Sequence, residues 1–202
     1  MEPNAQEYVQ RERRRLGQVR KSYEAGVAAR DGGASVSVEF FSACVDYIRA
    51  SMDRLHRQDQ HIHDLLKPHL KSGDKERAAT LENLNMRLAR SRTALADLVT
   101  ARDAFRGAQT FTGGDTGWSE FKNAIAAFME VYFNVLMKGQ HSTLEFQHEV
   151  FKPGDWGDVA GINEAALLVE ATTFAQVRKF APANADPATF KAGPPPTAPK
   201  AA

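Results

Sequence analysis

The sequence predicts an all-α protein, an up-and-down four-helix bundle with an additional short C-terminal helix and a flexible tail. Long stretches repeat apolar residues at steps of three and four, the period of a helix face buried against other helices. Turn-forming residues separate these stretches. Only SVSVEFF, at residues 35–41, alternates as a strand would, and it runs straight into a helix pattern. Helices joined by short turns are typical of bundles.

Length and composition narrow the class of protein. The 202 residues are enough for one domain that buries a core without disulfides. A net charge of +1 argues against nucleic acid or an anionic membrane as a general partner. Cys44 is the single cysteine, so the chain builds no internal disulfide or thiolate metal site. Because the start lacks a signal-type apolar run and no stretch is long and apolar enough to span a membrane, we expect a cytoplasmic protein.

The first helix is expected from residue 4 to about 30, at the periphery of the protein. Residues 1–34 are expected to form a separate N-terminal region that contains it. Its apolar face is thin, and Gly17 and Gly26 weaken it. Its basic run, RERRR at residues 11–15, is typical of a solvated face; the alternative is a patch that docks a protein partner.

The bundle domain is predicted over residues 35–180. Ser35 or Ser37 can cap a second helix that reaches about Leu70, with Pro68 near its end. A third helix, about 74–106, carries a regular apolar seam that Ser91 and Arg102 interrupt. The seam consists of Leu81, Leu84, Leu88, Leu95, Leu98 and Phe105.

The fourth helix, about 118–150, is predicted to be the central buried helix, because Phe121–Met137 is apolar on more than one side. Glu130 lies inside this run, and a buried carboxylate needs a partner. The partner is either a metal ion or an arginine of the third helix, such as Arg87, Arg90 or Arg92.

The chain then predicts a shorter helix over 163–180 and a tail. Residues 181–202 are rich in proline and alanine, which predicts a flexible extension. Phe190 is the one side chain in this tail large enough to anchor it on a partner.

The candidate chemistry lies in the histidines, since all six occur in the second and fourth helices. Parallel helices of an up-down-up arrangement with a rise of 1.5 Å per residue would bring the two groups to similar heights. Imidazole and carboxylate groups on facing helices suit iron, zinc, manganese or nickel. The candidate metal ligands, on one face of each helix at steps of three and four, are His56, Asp59 and His63, and His141, Glu145 and His148.

An alternative interpretation needs no metal. His56 and His63 then lie at the rim of the bundle, and His141 and His148 mark a helix that becomes amphipathic as it leaves the core. His61 and His69 are expected at the surface.

The closing helix resembles a known family. His141-x-x-x-Glu145, followed by VFKPGDW at residues 150–156, is similar to the last helix of bacterial hemerythrin-like (HHE cation-binding) bundles. The resemblance implies that His141 and Glu145 ligate a non-haem diiron centre, with His56 or His63 as the ligand from an earlier helix. Because the third helix has no histidine, a complete diiron set is not expected; a mononuclear site and a metal-free bundle stay open.

The expected function is therefore metal binding, with non-haem iron as cofactor, for oxygen or redox sensing or storage. The alternative is a metal-free accessory or regulatory subunit that holds a protein partner through the basic first helix or the proline-rich tail. The sequence contains no constellation typical of a nucleophile or a phosphate loop, so no catalytic residue is assigned.

Overall fold

The structure is a computed structural model that describes residues 5–112, 117–137, 140–160 and 164–191. These ranges contain seven α-helices and no strand, which confirms the all-α class. The helices are α1 (Ala5–Asp31), α2 (Val38–Leu66), α3 (Lys75–Thr112), α4 (Trp118–Val131), α5 (Gln140–Val150), α6 (Pro153–Ala160) and α7 (Glu164–Phe180).

The chain divides into two compact units. One unit comprises residues 1–51 and 163–202, and the other comprises residues 52–162. α2 supplies residues to both units, since the division falls between Ser51 and Met52. The domain boundaries expected after residues 34 and 180 stay a prediction.

Two helices begin at the residues whose side chains can cap them. The Ser37 hydroxyl accepts the N–H of Phe40 at 3.2 Å at the start of α2. The Asp74 carboxylate accepts the N–H of Arg77 at 3.1 Å at the start of α3. Each bond satisfies a backbone donor that has no partner within its helix. Both starts agree with the sequence prediction.

Two helices also end where the sequence places a breaker. Gly33 adopts a φ of 88°, and its N–H bonds the carbonyl of Arg30 at 2.9 Å to close α1. Pro68 lies in a 3-10 turn, Lys67–His69, that follows α2.

In the first unit, α1, the beginning of α2 and α7 share an aromatic core. The Tyr23 ring of α1 meets Phe41 edge-on at 5.8 Å, and the Tyr47 ring of α2 meets Phe174 of α7 at 5.5 Å. The guanidinium of Arg15 lies over the Phe174 ring at 5.4 Å. The last arginine of the basic run therefore packs within the protein.

Residues 183–190, within the segment that the sequence assigns to a flexible tail, form two 3-10 turns against α1. The Ser22 hydroxyl donates to the Ala185 carbonyl, and the Gln18 amide donates to the Phe190 carbonyl at 3.0 Å. The composition of the tail does not reveal these bonds, because the tail contributes backbone carbonyls to them. Residues 192–202 lie outside the described residues.

In the second unit, the predicted seam of α3 is buried along its whole length, from Leu81 to Phe105. α4 packs on α3, where the Phe105 and Phe121 rings stack at 5.2 Å. The four buried residues of α4 are spaced at steps of three and four. They are Trp118, Phe121, Ile125 and Phe128.

The expectation of a central helix buried all round is wrong, because α4 is amphipathic. Glu130 is exposed, and Phe133 in the following turn is 40% exposed. Two alanines of the run, Ala126 and Ala127, lie on its exposed side, where a helix tolerates alanine. The Glu130 carboxylate therefore avoids the desolvation that would have required a buried partner.

The predicted fourth helix is interrupted. A π-helical segment, Tyr132–Met137, follows α4, also contacts α3, and precedes α5. π-Helical turns are rare and occur frequently at functional sites. Here the segment lies directly before the part of the chain that carries the histidine and glutamate motif.

Within the described ranges, none of the helices combines the length and apolar character that crossing a membrane requires.

Gly26 of α1 should not tolerate a side chain. A Cβ added there would lie 2.3 Å from a ring carbon of Phe40, which is fully buried and has little room to move. We expect Gly26→Ala to lower the free energy of unfolding by roughly 1 to 3 kcal/mol, as overpacked cores do. Urea unfolding followed by circular dichroism measures the change.

Gly17→Ala is the matched control in the same helix. A Cβ at Gly17 would meet nothing within 4 Å, so the helix propensity of alanine should raise stability by up to about 1 kcal/mol. Equal effects of the two substitutions would contradict the contact between Gly26 and Phe40.

Candidate functional site

α2 and α3 run antiparallel where the first histidine group lies. His56 Nε2 is 2.7 Å from the hydroxyl oxygen of Ser91, and His63 Nε2 is 3.1 Å from the amide nitrogen of Asn85. Later residues of α2 thus meet earlier residues of α3. Polar side chains therefore connect α2 and α3 at two successive heights, one at Ser91 and one at Asn85.

α5 also runs antiparallel to α3. The Arg87 guanidinium donates to the Thr143 hydroxyl at 3.0 Å, and Arg77 forms an ion pair with Glu149. Since α2 and α5 both oppose the direction of α3, they are parallel to each other.

The segments of α2 and α5 that carry the histidines both contact the same part of α3, around Asn85 and Arg87, which is called the candidate level below. His63 contacts Asn85, Thr143 contacts Arg87, and these two α3 residues are separated by only about 3 Å along the helix axis. In α5, Thr143 lies midway between positions 141 and 145. The positions of the candidate motif therefore lie at the height of His63.

An apolar cluster closes one end of this level. Leu66 of α2, Leu81 of α3 and Phe146 of α5 are buried together. The partly buried residues packed against them are Ile62, Leu70, Val150 and Phe151. Burial of this apolar surface holds residues of α2, α3 and α5 together at this end.

His63 is hydrogen-bonded through both nitrogens of its ring. Its Nδ1 is 3.0 Å from the Asp64 carboxylate, and its Nε2 faces the Asn85 amide nitrogen. The hydrogen bond from His63 lowers the pKa of the Asp64 carboxyl. We assign the tautomer from this network: Nδ1–H donates to Asp64, and the Nε2 lone pair accepts from Asn85. A carboxylate commonly orients the ring of a histidine in this way, and here the second ring nitrogen is engaged with the Asn85 amide.

His56 has a different environment. It is only 5% exposed, and it bonds the fully buried hydroxyl of Ser91. Burial, assisted by the positive charge of Arg92 and opposed by Asp53, lowers the pKa of His56 to about 4. His56 is therefore a neutral side chain that connects α2 to α3.

The remaining candidate ligands differ in how exposed they are. Asp59 is half-buried, and Glu145 and His148 are exposed. The His148 ring lies 5.5 Å from the Trp156 ring. The backbone of His141 belongs to α5, but its side chain lies outside the described residues. His61 and His69 are exposed, as expected.

The described side chains alone do not assemble a metal site. Among them, no group of three or more His, Cys, Asp and Glu residues is close enough to hold an ion.

Sequence reasoning missed the residues of α3 and α5 that contact the candidate ligands and their neighbours. Asn85 and Thr143 carry no recognisable signal, because single polar residues are common on helices. Ser91 carries one: it interrupts the leucine seam, and it is fully buried at the point where His56 needs a partner. A polar residue at a seam position indicates a buried polar contact.

Comparison of the chain with protein-family models, curated proteins and solved structures gives no match.

Acid should destabilise the protein through His56. Its pKa falls from 6.5 in the unfolded chain to about 4 in the fold, so the unfolded state binds the proton first. Its stabilising effect is fully present above pH 6.5 and is lost as the pH falls toward 4. The shift corresponds to a loss of up to about 3 kcal/mol. Urea unfolding of chelator-treated protein at pH 7 and pH 4 measures it.

His56→Gln is the control, because glutamine can hydrogen-bond Ser91 but does not titrate in this range. The variant should lose less stability than the natural protein between the two pH values. An identical loss in both proteins would show that His56 does not cause the acid sensitivity.

Proposed function

We propose that this protein is a hemerythrin-like helical bundle that binds a metal ion between α2 and α5, for oxygen or redox sensing or storage. Non-haem iron is the proposed ion. α2, α3, α4 and α5, with the π-helical segment joining the last two, form the bundle of this proposal. The observation that carries it is His63, whose Nε2 lone pair is oriented by Asp64 at the height of positions 141 and 145.

The donor set suits a single ion better than a diiron centre. Asp59 and His63 lie one turn apart on α2, and His141 and Glu145 lie one turn apart on α5. Two imidazoles and two carboxylates are a ligand set that iron, manganese or zinc accepts. His56 fits this set less well, because it is only 5% exposed and its Nε2 bonds the fully buried Ser91 hydroxyl. His148, whose ring lies tilted beside the Trp156 ring at 5.5 Å, is a further candidate ligand outside this set of four.

Residues around His63 would orient its ring and leave the ion a path from solvent. Asp64 holds the His63 ring, and Asn85 caps its lone pair with an amide N–H that an ion can displace. The exposed Glu145 carboxylate leaves the site open to solvent. A bound non-haem iron would supply reversible redox change and an open position for dioxygen.

Metal content tests the proposal. Untagged protein, incubated with iron(II) without oxygen and desalted, should retain about one ion per chain by elemental analysis. His63→Ala and His141→Ala should each remove most of it, because each takes away one of only two imidazoles. His69→Ala is the control, since this exposed histidine lies beyond the end of α2.

Substoichiometric iron, zinc and manganese in the natural protein, unchanged by either substitution, would reject the proposal. Loss of metal in His69→Ala to the same extent would show that the binding is unspecific.

The second candidate is a metal-free accessory or regulatory subunit. The observation that favours it is a pair of neighbouring apolar residues on α7, since Leu168 is 69% exposed and Val169 is 53% exposed. Adjacent large apolar side chains at a surface are common in protein interfaces.

Truncation after Lys191 tests the tail in this second candidate. Residues 181–191 should be kept, because Ala185 and Phe190 accept hydrogen bonds from α1 and their loss would disturb the fold. A co-purifying protein that is lost on removing residues 192–202, or in a Leu168→Ser/Val169→Ser variant, would support this function. Retention of the same protein by both variants would exclude these surfaces.

A further inference from the structure

We propose that α1 and the last turn of α7 form a docking surface for a peptide segment, and that a second copy of this chain is the partner that docks there. Within one chain, the surface is occupied by residues 183–191 of the chain itself, which form a strap. In the proposed dimer, the strap of each copy lies on the surface of the other. This inference does not depend on metal binding.

The strap is held on α1 through its backbone. Three side chains within one turn of α1 donate hydrogen bonds to three carbonyls of the strap. The donors are Gln18, Lys21 and Ser22, and the acceptors are the carbonyls of Phe190, Lys191 and Ala185, in that order. Because every residue has a carbonyl, these bonds position a peptide without selecting its sequence. The strap of a second copy would receive the same bonds.

Three consecutive residues of the strap supply the selectivity. Ala185 is fully buried and Pro187 is buried, so larger side chains at these positions would overpack the docked segment. Between them, Asp186 Oδ1 forms an ion pair with Arg178 Nε of α7 at 3.2 Å. The Ala188 N–H, which donates to the same carboxylate at 3.0 Å, and Arg178 together hold the pKa of Asp186 below its usual range. The surface therefore fits an Ala-Asp-Pro segment.

The strap keeps its shape through bonds of its own. The Ala185 N–H donates to the Pro182 carbonyl at 2.8 Å, and the Thr189 N–H donates to the Asp186 carbonyl at 3.0 Å. Residues 181 and 182 connect the strap to α7, and Pro182 is extended, with a φ of −61° and a ψ of 156°. An exchange of straps between two copies therefore needs a new conformation only in this connection.

Such an exchange preserves the contacts of the strap. Each contact between strap and surface within one chain has an identical counterpart between two copies, which is the basis of domain swapping. The closed monomer is favoured at low concentration, since association costs translational and rotational freedom. Weakening the contact within a chain, while preserving it between chains, should therefore favour the dimer.

Reversal of the charges in the ion pair tests the exchange. Asp186→Arg and Arg178→Asp each place like charges at the contact within one chain. In an equimolar mixture of the two full-length variants, exchanged straps restore opposite charges at both surfaces. Two restored ion pairs should strengthen association by on the order of tenfold over either variant alone. Size-exclusion chromatography with light scattering measures the mass. The two natural side chains are 53% and 30% exposed, so both variants should fold.

The matched control is the double variant Asp186→Arg/Arg178→Asp. It restores the ion pair within one chain, so it should be no more dimeric than the natural protein at the same concentration. It also lacks the carboxylate that accepts the Ala188 N–H, which separates that loss from the loss of the ion pair. A mixture no more dimeric than its separate variants, or a double variant as dimeric as the mixture, would overturn the exchange between copies.

A fluorescent peptide with the sequence of residues 182–191 tests the surface by itself. Both single variants weaken the hold on their own strap, but only Asp186→Arg keeps the Arg178 that the peptide needs. By fluorescence anisotropy, the peptide should bind Asp186→Arg about fivefold more tightly than Arg178→Asp. A peptide that carries Asp186→Arg should show the opposite order. Absence of binding to both variants, or equal binding of each peptide by both, would overturn the docking surface.

Discussion

The antiparallel packing of α2 and α5 on α3 is the constraint on which the candidate site depends. Apolar burial, seen in the cluster of Leu66, Leu81 and Phe146, sets the register of the three helices. Once that register is set, His56 faces Ser91 and Arg87 faces Thr143. Because hydrogen bonds are directional and short, these polar contacts would not survive a shift of one helix by a single residue.

His56 and His63, the two histidines of α2 that bond residues of α3, show how environment gives one residue type two roles. His56 is buried beside a hydroxyl and close to Arg92, so its neutral form is favoured and it serves as a connection between helices. His63 is half-buried beside a carboxylate, which orients the ring and fixes the tautomer. α2 thus contains a buried histidine that connects two helices and a half-buried one whose ring is oriented by a carboxylate.

Several features were predictable because they depend on local chemistry. The caps at Ser37 and Asp74, and the termination of α1 at Gly33, follow from hydrogen bonds and backbone freedom within a few residues. The exposure of Glu130 and the π-helical segment at Tyr132–Met137 were not predictable. Both depend on which side of α4 meets α3, and a run that is apolar on more than one side does not specify that side.

The amino-acid sequence by itself determined the all-α class, the seam of α3 and the grouping of histidines, since each follows from the period of the helix and from residue type. Only the tertiary structure decided which residues complete the site. Asn85, Ser91, Arg87 and Thr143 acquire their roles because helices distant in sequence meet at one height. A hydrogen bond between distant helices depends on their packed register, and no local pattern of residues encodes that register.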